Sequence, residues 1–154
     1  MSFAQQILVP TDLSAASVLA VDAAAILAKQ FGATLELFYV YDPALLSPFY
    51  AVPGAGVLAD TTASIPEFER SVTVELERLR DAHLGGVTGV TLASAQHKAP
   101  AEAICERAKE IGADLVVIST HGRTGLAHML IGSVAERVVR HAPCPVLTLR
   151  SKAK

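Results

Sequence analysis

Gln6-Ile7-Leu8-Val9-Pro10 is a short, largely β-branched run that a proline ends, and the period of apolar positions changes directly after it. Leu19, Ala23, Ile26 and Leu27 then recur at helical spacing, so the pattern predicts a strand feeding a helix that buries those four residues. Gly32 closes the helix, and Thr34-Leu35-Glu36-Leu37-Phe38-Tyr39-Val40 reads as a second strand broken by Asp42-Pro43. Ser64-Ile65-Pro66-Glu67 has the spacing of a capping box with an early proline, and Val72, Leu76 and Leu79 follow on one face until Gly85 and Gly86.

A third strand is predicted over Val90 to Ala95, and Pro100 opens a third helix whose Ile104, Ala108 and Ile111 share a face before Gly112. Asp114-Leu115-Val116-Val117-Ile118-Ser119 is the strongest strand signal, continuously apolar at its centre, and is expected in the middle of a parallel sheet covered on both faces. A glycine-bearing loop, Thr120 to Ile131, precedes Gly132-Ser133-Val134-Ala135-Glu136, a second Ser-x-x-Glu box that opens a helix running to His141. Val146-Leu147-Thr148-Leu149-Arg150 supplies the last strand. Strand and helix alternate throughout, which predicts one α/β domain over residues 1–154, an open five-stranded parallel sheet flanked by helices.

One connection breaks this economy. Residues 42–63 contain Pro43, Pro48, Pro53, Gly54 and Gly56, and far exceed the ~2 to 6 residues usual between strand and helix. Phe49, Tyr50, Val52, Val57 and Leu58 make the segment apolar for a linker, so a lid, a partner contact and a flexible loop all remain open.

Composition narrows the function classes. Of 154 residues 51% are hydrophobic, and a mean hydropathy of +0.41 reflects abundant alanine, while polar residues interrupt every apolar stretch too early for a membrane span. Thirteen Lys plus Arg against 15 Asp plus Glu, a net charge of -2, disfavour binding to nucleic acid. The start, Met1-Ser2-Phe3-Ala4-Gln5-Gln6, does not read as a secretory signal, so the cytoplasm is the expected compartment. Cys105 and Cys144 have no disulfide or zinc spacing and are expected to pack as small apolar residues. His83, His97, His128 and His141 share no metal-ligand spacing, and Arg137 and Arg140 read as a solvated helix face.

With strand order 3-2-1-4-5 the first and fourth strands meet at the switch point, where open parallel sheets bind ligands beyond the strands' carboxyl ends. One end carries Pro10-Thr11-Asp12 and the other Ser119-Thr120-His121-Gly122. Gly122 and Gly125 allow a positive φ, and Gly132-Ser133 places a glycine and a hydroxyl at a helix start, a phosphate cradle in outline. Ser133 reads equally as a simple cap, and Asp12 as a helix cap, a metal ligand or a partner for adenine or ribose. Neither a P-loop nor an early GxGxxG is present, and His121 lacks the partners of a triad.

At these residues the chain resembles the universal stress protein family along essentially its whole length. The similarity rests on Ile7-Leu8-Val9-Pro10-Thr11-Asp12-Leu13-Ser14, on Ser119 to Leu126 with Gly132 to Val138, and on Ala142-Pro143-Cys144-Pro145-Val146-Leu147. The resemblance implies an adenine-nucleotide α-hydrolase-like fold and a homodimer through the edge strand Val146 to Leu149. Members that bind ATP resemble one another in a Gly-x-x-Gly, nine residues, Gly-Ser/Thr pattern. Gly122, nine intervening residues and Gly132-Ser133 match it, whereas Ser119 replaces the leading glycine.

The resemblance thus implies ATP, with Mg2+, held by Pro10, Thr11, Asp12 and Val40 at the adenine and ribose end. Ser119, His121, Gly122, Gly132, Ser133 and Val134 would hold ribose and phosphates, with His128 in the loop beside them. It further implies a stress-response module that signals occupancy to a regulatory protein partner, with ATP turnover slow or absent because no general base or Walker lysine stands beside the loop. The alternative is a dimerisation and docking module of the same fold that binds no nucleotide.

Overall fold

A computed structural model describes residues 4–46, 65–120 and 132–150 of the chain. The elements are β1 (Gln6–Pro10), α1 (Ala15–Phe31), β2 (Thr34–Tyr41), a 3-10 turn (Pro43–Leu46), α2 (Ile65–His83), β3 (Val90–Gln96), α3 (Pro100–Glu110), β4 (Leu115–Ser119), α4 (Ser133–His141) and β5 (Val146–Leu149). Local chemistry sets their limits. Gly32 ends α1 in the left-handed conformation, φ 67°, which a glycine adopts without a Cβ penalty, and Pro100 starts α3 where its missing N–H costs nothing.

All strand pairs are parallel and the order is β3-β2-β1-β4-β5. β1, not β4, is therefore the middle strand. β4 lies one place away, and its Val116 and Val117 are fully buried because α1 covers one face while α3 and α4 cover the other. The α1 and α2 face packs Ile7, Val9, Leu35, Leu37 and Tyr39 against alanines of α1 and Phe68, Val72 and Leu76 of α2. The opposite face packs Leu8, Phe38, Val116 and Ile118 against Ile104, Ala108, Ala135 and Val138.

The buried side of α1 corrects the expectation from spacing. Ser17, Ala20, Val21, Ala24, Ala25 and Ala28 face the sheet, whereas Leu19 is 39% and Ile26 69% exposed, and Ala23 and Leu27 only border the core. Apolar residues surround this helix, so their period alone does not select a face. The small side chains win because they let the helix backbone approach the sheet closely enough to close-pack.

At the amino end of the sheet, side chains close the structure. The Asp114 carboxylate accepts the N–H groups of Gln5 and Gln6 at 2.9 and 3.0 Å, tying the start of β1 to the residue before β4. Glu36 of β2, buried, takes Nε and Nη2 of Arg107 at 2.7 and 3.0 Å and the Thr91 hydroxyl at 3.2 Å. This two-pronged pair joins α3 to β2, and the Glu36 carboxylate raises the Arg107 guanidinium above its ordinary pKa. Cys105 and Cys144 are half-buried free thiols whose pKa values burial pushes up, in keeping with packing residues. Among the described residues no helix is long and apolar enough to cross a membrane.

Candidate functional site

The two central strands part at their carboxyl ends. β1 stays paired with β2 up to Pro10 opposite Phe38, but its ladder with β4 holds only Ile7 with Leu115 and Leu8 with Val116. Pro10 has no N–H to extend that ladder. The chain then leaves β1 for α1 on one face and β4 for α4 on the other, which opens the crevice expected at a switch point.

The turn after β1 is held by its own polar groups. The Thr11 N–H donates to the Phe38 carbonyl at 2.9 Å, and the buried Thr11 hydroxyl oxygen accepts the Leu13 N–H at 3.0 Å. Ser17 gives its single hydroxyl proton to the Ser14 carbonyl at 2.8 Å, so at the 2.8 Å contact between the Thr11 and Ser17 hydroxyls it is Thr11 that donates. Ser14 is the N-cap of α1, its hydroxyl accepting the Ser17 N–H, and Asp12 braces that cap by accepting the Ser14 N–H at 3.0 Å and its hydroxyl. Asp12 is thus not the cap itself. Between them Leu13 adopts φ 63°, a conformation that costs a leucine ~1 to 2 kcal/mol and that glycine would tolerate.

The β4 side is built from backbone. The Thr120 N–H donates to the Leu149 carbonyl of β5 at 2.8 Å, and the Thr120 carbonyl accepts the Gly132 N–H at 2.6 Å. A Cβ on Gly132 would lie 2.7 Å from that carbonyl oxygen, so this glycine is required by close approach. Gly132, extended, is the N-cap of α4 and has no side chain with which to cap it; Ser133 is the first helical residue and exposed. The expected Ser133 and Glu136 capping box is accordingly absent: Glu136 instead accepts from Arg140 Nη2 at 2.7 Å along the exposed helix face.

The structure therefore brings Pro10, Thr11, Asp12, Ser119, Gly132, Ser133 and Val134 to the carboxyl ends of β1 and β4, Ser119 half-buried opposite Leu149. Val40 stands half-buried near the carboxyl end of β2 and packs toward the α3 and α4 face. His121, Gly122, Gly125 and His128 lie outside the described residues, as do residues 47–63 of the long connection. Leu13 and Ser14 belong to the motif Ile7 to Ser14 on which the resemblance rests, whereas Ser17 has no place in the sequence reading of this turn. Three small hydroxyl residues at 11, 14 and 17 were the available signal, being the residue types that bond to nearby backbone. At the carboxyl end of β2 and β3, Glu69 accepts from the Tyr41 hydroxyl and from Gln96 Nε2 at 3.2 Å, which fixes the first half of α2. Burial first, then Glu69, pushes the Tyr41 phenol up to about 12. Among the described residues no group of three or more His, Cys, Asp or Glu could hold a metal ion.

A doubly wound parallel sheet with a crevice between a carboxylate-bearing turn and a glycine-started helix defines a class of ligand-binding α/β proteins. The profile of the universal stress protein family matches residues 4–150, and this chain belongs to that family. It is 34% identical over 155 aligned positions to universal stress protein MJ0531 of Methanocaldococcus jannaschii, covering 97% of this chain and 84% of that one. Universal stress protein UspA from Lactobacillus plantarum superposes with a TM-score of 0.70 at 26% identity, covering 95% and 97%. A universal stress protein solved in complex with cAMP superposes with a TM-score of 0.65 at 26% identity, covering 97% and 98%.

Proposed function

We propose that this chain binds an adenine nucleotide, ATP with Mg2+, in the crevice between β1 and β4, and acts as a homodimeric regulator whose occupancy is read by a protein partner. The observation that carries the reading is the meeting of Gly132 with the Thr120 carbonyl, which presents the start of α4 to the same crevice as Thr11 and Asp12. The related protein solved with cAMP supports an adenine nucleotide as the ligand class.

In this reading Pro10, Thr11, Asp12 and Val40 contact adenine and ribose, the Asp12 carboxylate accepting from a ribose hydroxyl or the adenine amine. The N–H groups of Ser133 and Val134, with Ser119, His121, Gly122 and Gly132, would hold ribose and phosphates. A helix start is worth only ~0.3 to 1 kcal/mol to an anion, whereas micromolar affinity needs about 8 kcal/mol, so adenine burial and the polar contacts supply most of it. Asp12 is the one carboxylate among these residues, so Mg2+ would be held chiefly by the phosphates. The edge strand Val146 to Leu149, with Leu147 38% exposed, is the surface for the second subunit.

Denaturing freshly purified protein and identifying the released small molecule by mass spectrometry tests the ligand. Recovery of an adenine nucleotide, lost in a folded Gly122→Val variant, is the expected result. Absence of nucleotide, with Gly122→Val altering stability alone, favours the docking-module alternative and makes the Ser119 side chain the disqualifying change. ATP turnover above ~1 per second would be enzyme-like and contradict a binding module.

A further inference from the structure

β3 is one edge of the sheet, and its hydrogen-bond phase can be read from its ends. The Leu35 N–H donates to the Gly89 carbonyl and the His97 N–H to the Tyr41 carbonyl, at 3.2 and 2.9 Å, with Leu35 opposite Val90 and Tyr41 opposite Gln96. In a parallel ladder of that phase Thr91, Ala93 and Ala95 turn their backbone groups to β2. The N–H and C=O groups of Val90, Leu92, Ser94 and Gln96 then point away from the sheet.

Edge strands are commonly blunted by lysine, proline or a bulge, yet Val-Thr-Leu-Ala-Ser-Ala-Gln contains neither lysine nor proline and keeps an unbroken register over its seven residues. On the α3 side a groove of about 390 Å³ runs along it, floored by Ala93 and Ala95 and walled by Glu106, Arg107 and Glu110. The Arg107 guanidinium is committed to Glu36 and to Glu110, the latter at 3.1 Å. With its charge already matched by Glu36 behind it, the one guanidinium leaves the Glu106 and Glu110 wall negative. On the other face Val90 and Leu92 border the apolar core under α2.

We propose that the β3 edge with this groove docks an extended segment of a partner protein that alternates basic and apolar side chains, adding a sixth strand to the sheet. Main-chain bonds to Val90, Leu92, Ser94 and Gln96 supply the pairing. Basic side chains enter the groove toward Glu106 and Glu110, which the small Ala93 and Ala95 leave open, and apolar ones lie beside Val90 and Leu92. The site is on the opposite side of β2 from the crevice, so it does not depend on the nucleotide reading.

Amide hydrogen exchange of the full chain tests this, with an acetylated peptide alternating lysine and valine as the probe. The Leu92, Ser94 and Gln96 amides are expected to exchange fast in the free protein and at least tenfold more slowly with the peptide. Thr91, Ala93 and Ala95 should stay protected throughout. Glu106→Lys should weaken peptide affinity several-fold at an unchanged melting temperature, and methylating alternate peptide nitrogens should abolish binding. Four results overturn the proposal. They are outward amides already protected at all protein concentrations, which means the chain covers its own edge; protection that rises with protein concentration, which means a second copy does; equal protection by a glutamate and valine peptide; and no protection by either peptide.

Discussion

The two ends of the sheet are stabilised differently. At the amino end, side chains satisfy one another: Asp114 holds the Gln5 and Gln6 amides, and Glu36 is paired with Arg107 and Thr91. At the carboxyl ends of β1 and β4, the chain accepts a leucine at φ 63°, a carbonyl 2.6 Å from an amide nitrogen, and a helix start whose N-cap is a bare glycine. The Thr11, Asp12, Ser14 and Ser17 groups of the carboxyl end satisfy one another too, so what sets that end apart is backbone strain and close approach, which persist where the surroundings impose them, commonly at functional sites. The amino end is scaffold, and the carboxyl end is where we propose that the ligand binds.

The amino end should give the largest change in stability and none in binding. Arg107→Ala leaves the Glu36 carboxylate buried without its partner and should cost about 2 to 3 kcal/mol, seen as a Tm lower by roughly 5 to 10 °C. Replacing Glu36 and Arg107 together by methionine should recover much of that, because the penalty lies in the orphaned charge rather than in the pair. Gly132→Ala comes next, since its Cβ must displace the Thr120 carbonyl: about 1 to 3 kcal/mol of stability, accompanied by loss of nucleotide affinity in a calorimetric titration. A drop in stability with affinity intact would erase the contrast between the two ends.

The smaller effects sharpen it. At position 13 a glycine variant should be about 1 kcal/mol more stable than an alanine variant in urea unfolding, because both lack the leucine side chain and only alanine resists the left-handed backbone. Smallest at neutral pH is Tyr41→Phe. The folded-state phenol titrates at about 12 against 10.0 ordinarily, so its contribution is full below pH 10 and is lost as pH rises toward 12. The wild type should lose stability over that window and the phenylalanine variant should lose less.

Much of the fold was legible because its signals were redundant. The run Ile7 to Pro10, the αL glycine at 32, Pro100 and the apolar core of β4 each marked a boundary, and alternation marked a parallel sheet with helices on both faces, while the order β3-β2-β1-β4-β5 entered as a supposition that the structure bears out. The facing of α1 was not legible, because large apolar residues at 19 and 26 outweighed alanines whose advantage is close approach rather than area. The candidate site was legible only as residue types at two strand ends, and its construction was not. Nothing in the sequence announces that Leu13 is left-handed or that Gly132 is needed because Thr120 lies against it, for both arise from tertiary placement. The Glu36 and Arg107 pair, 71 positions apart, is a contact that local pattern cannot reveal.

The most direct test of the division between the two ends is to follow backbone amide NMR shifts while ATP and Mg2+ are added to the intact protein. The largest shifts should fall on Thr11, Asp12, Leu13, Ser119, Gly132, Ser133 and Val134, and saturate together at micromolar ATP, while Glu36, Arg107 and Asp114 remain still. Shifts centred on the amino end, or none at millimolar ATP, would contradict the assignment of the crevice between β1 and β4 as the nucleotide site.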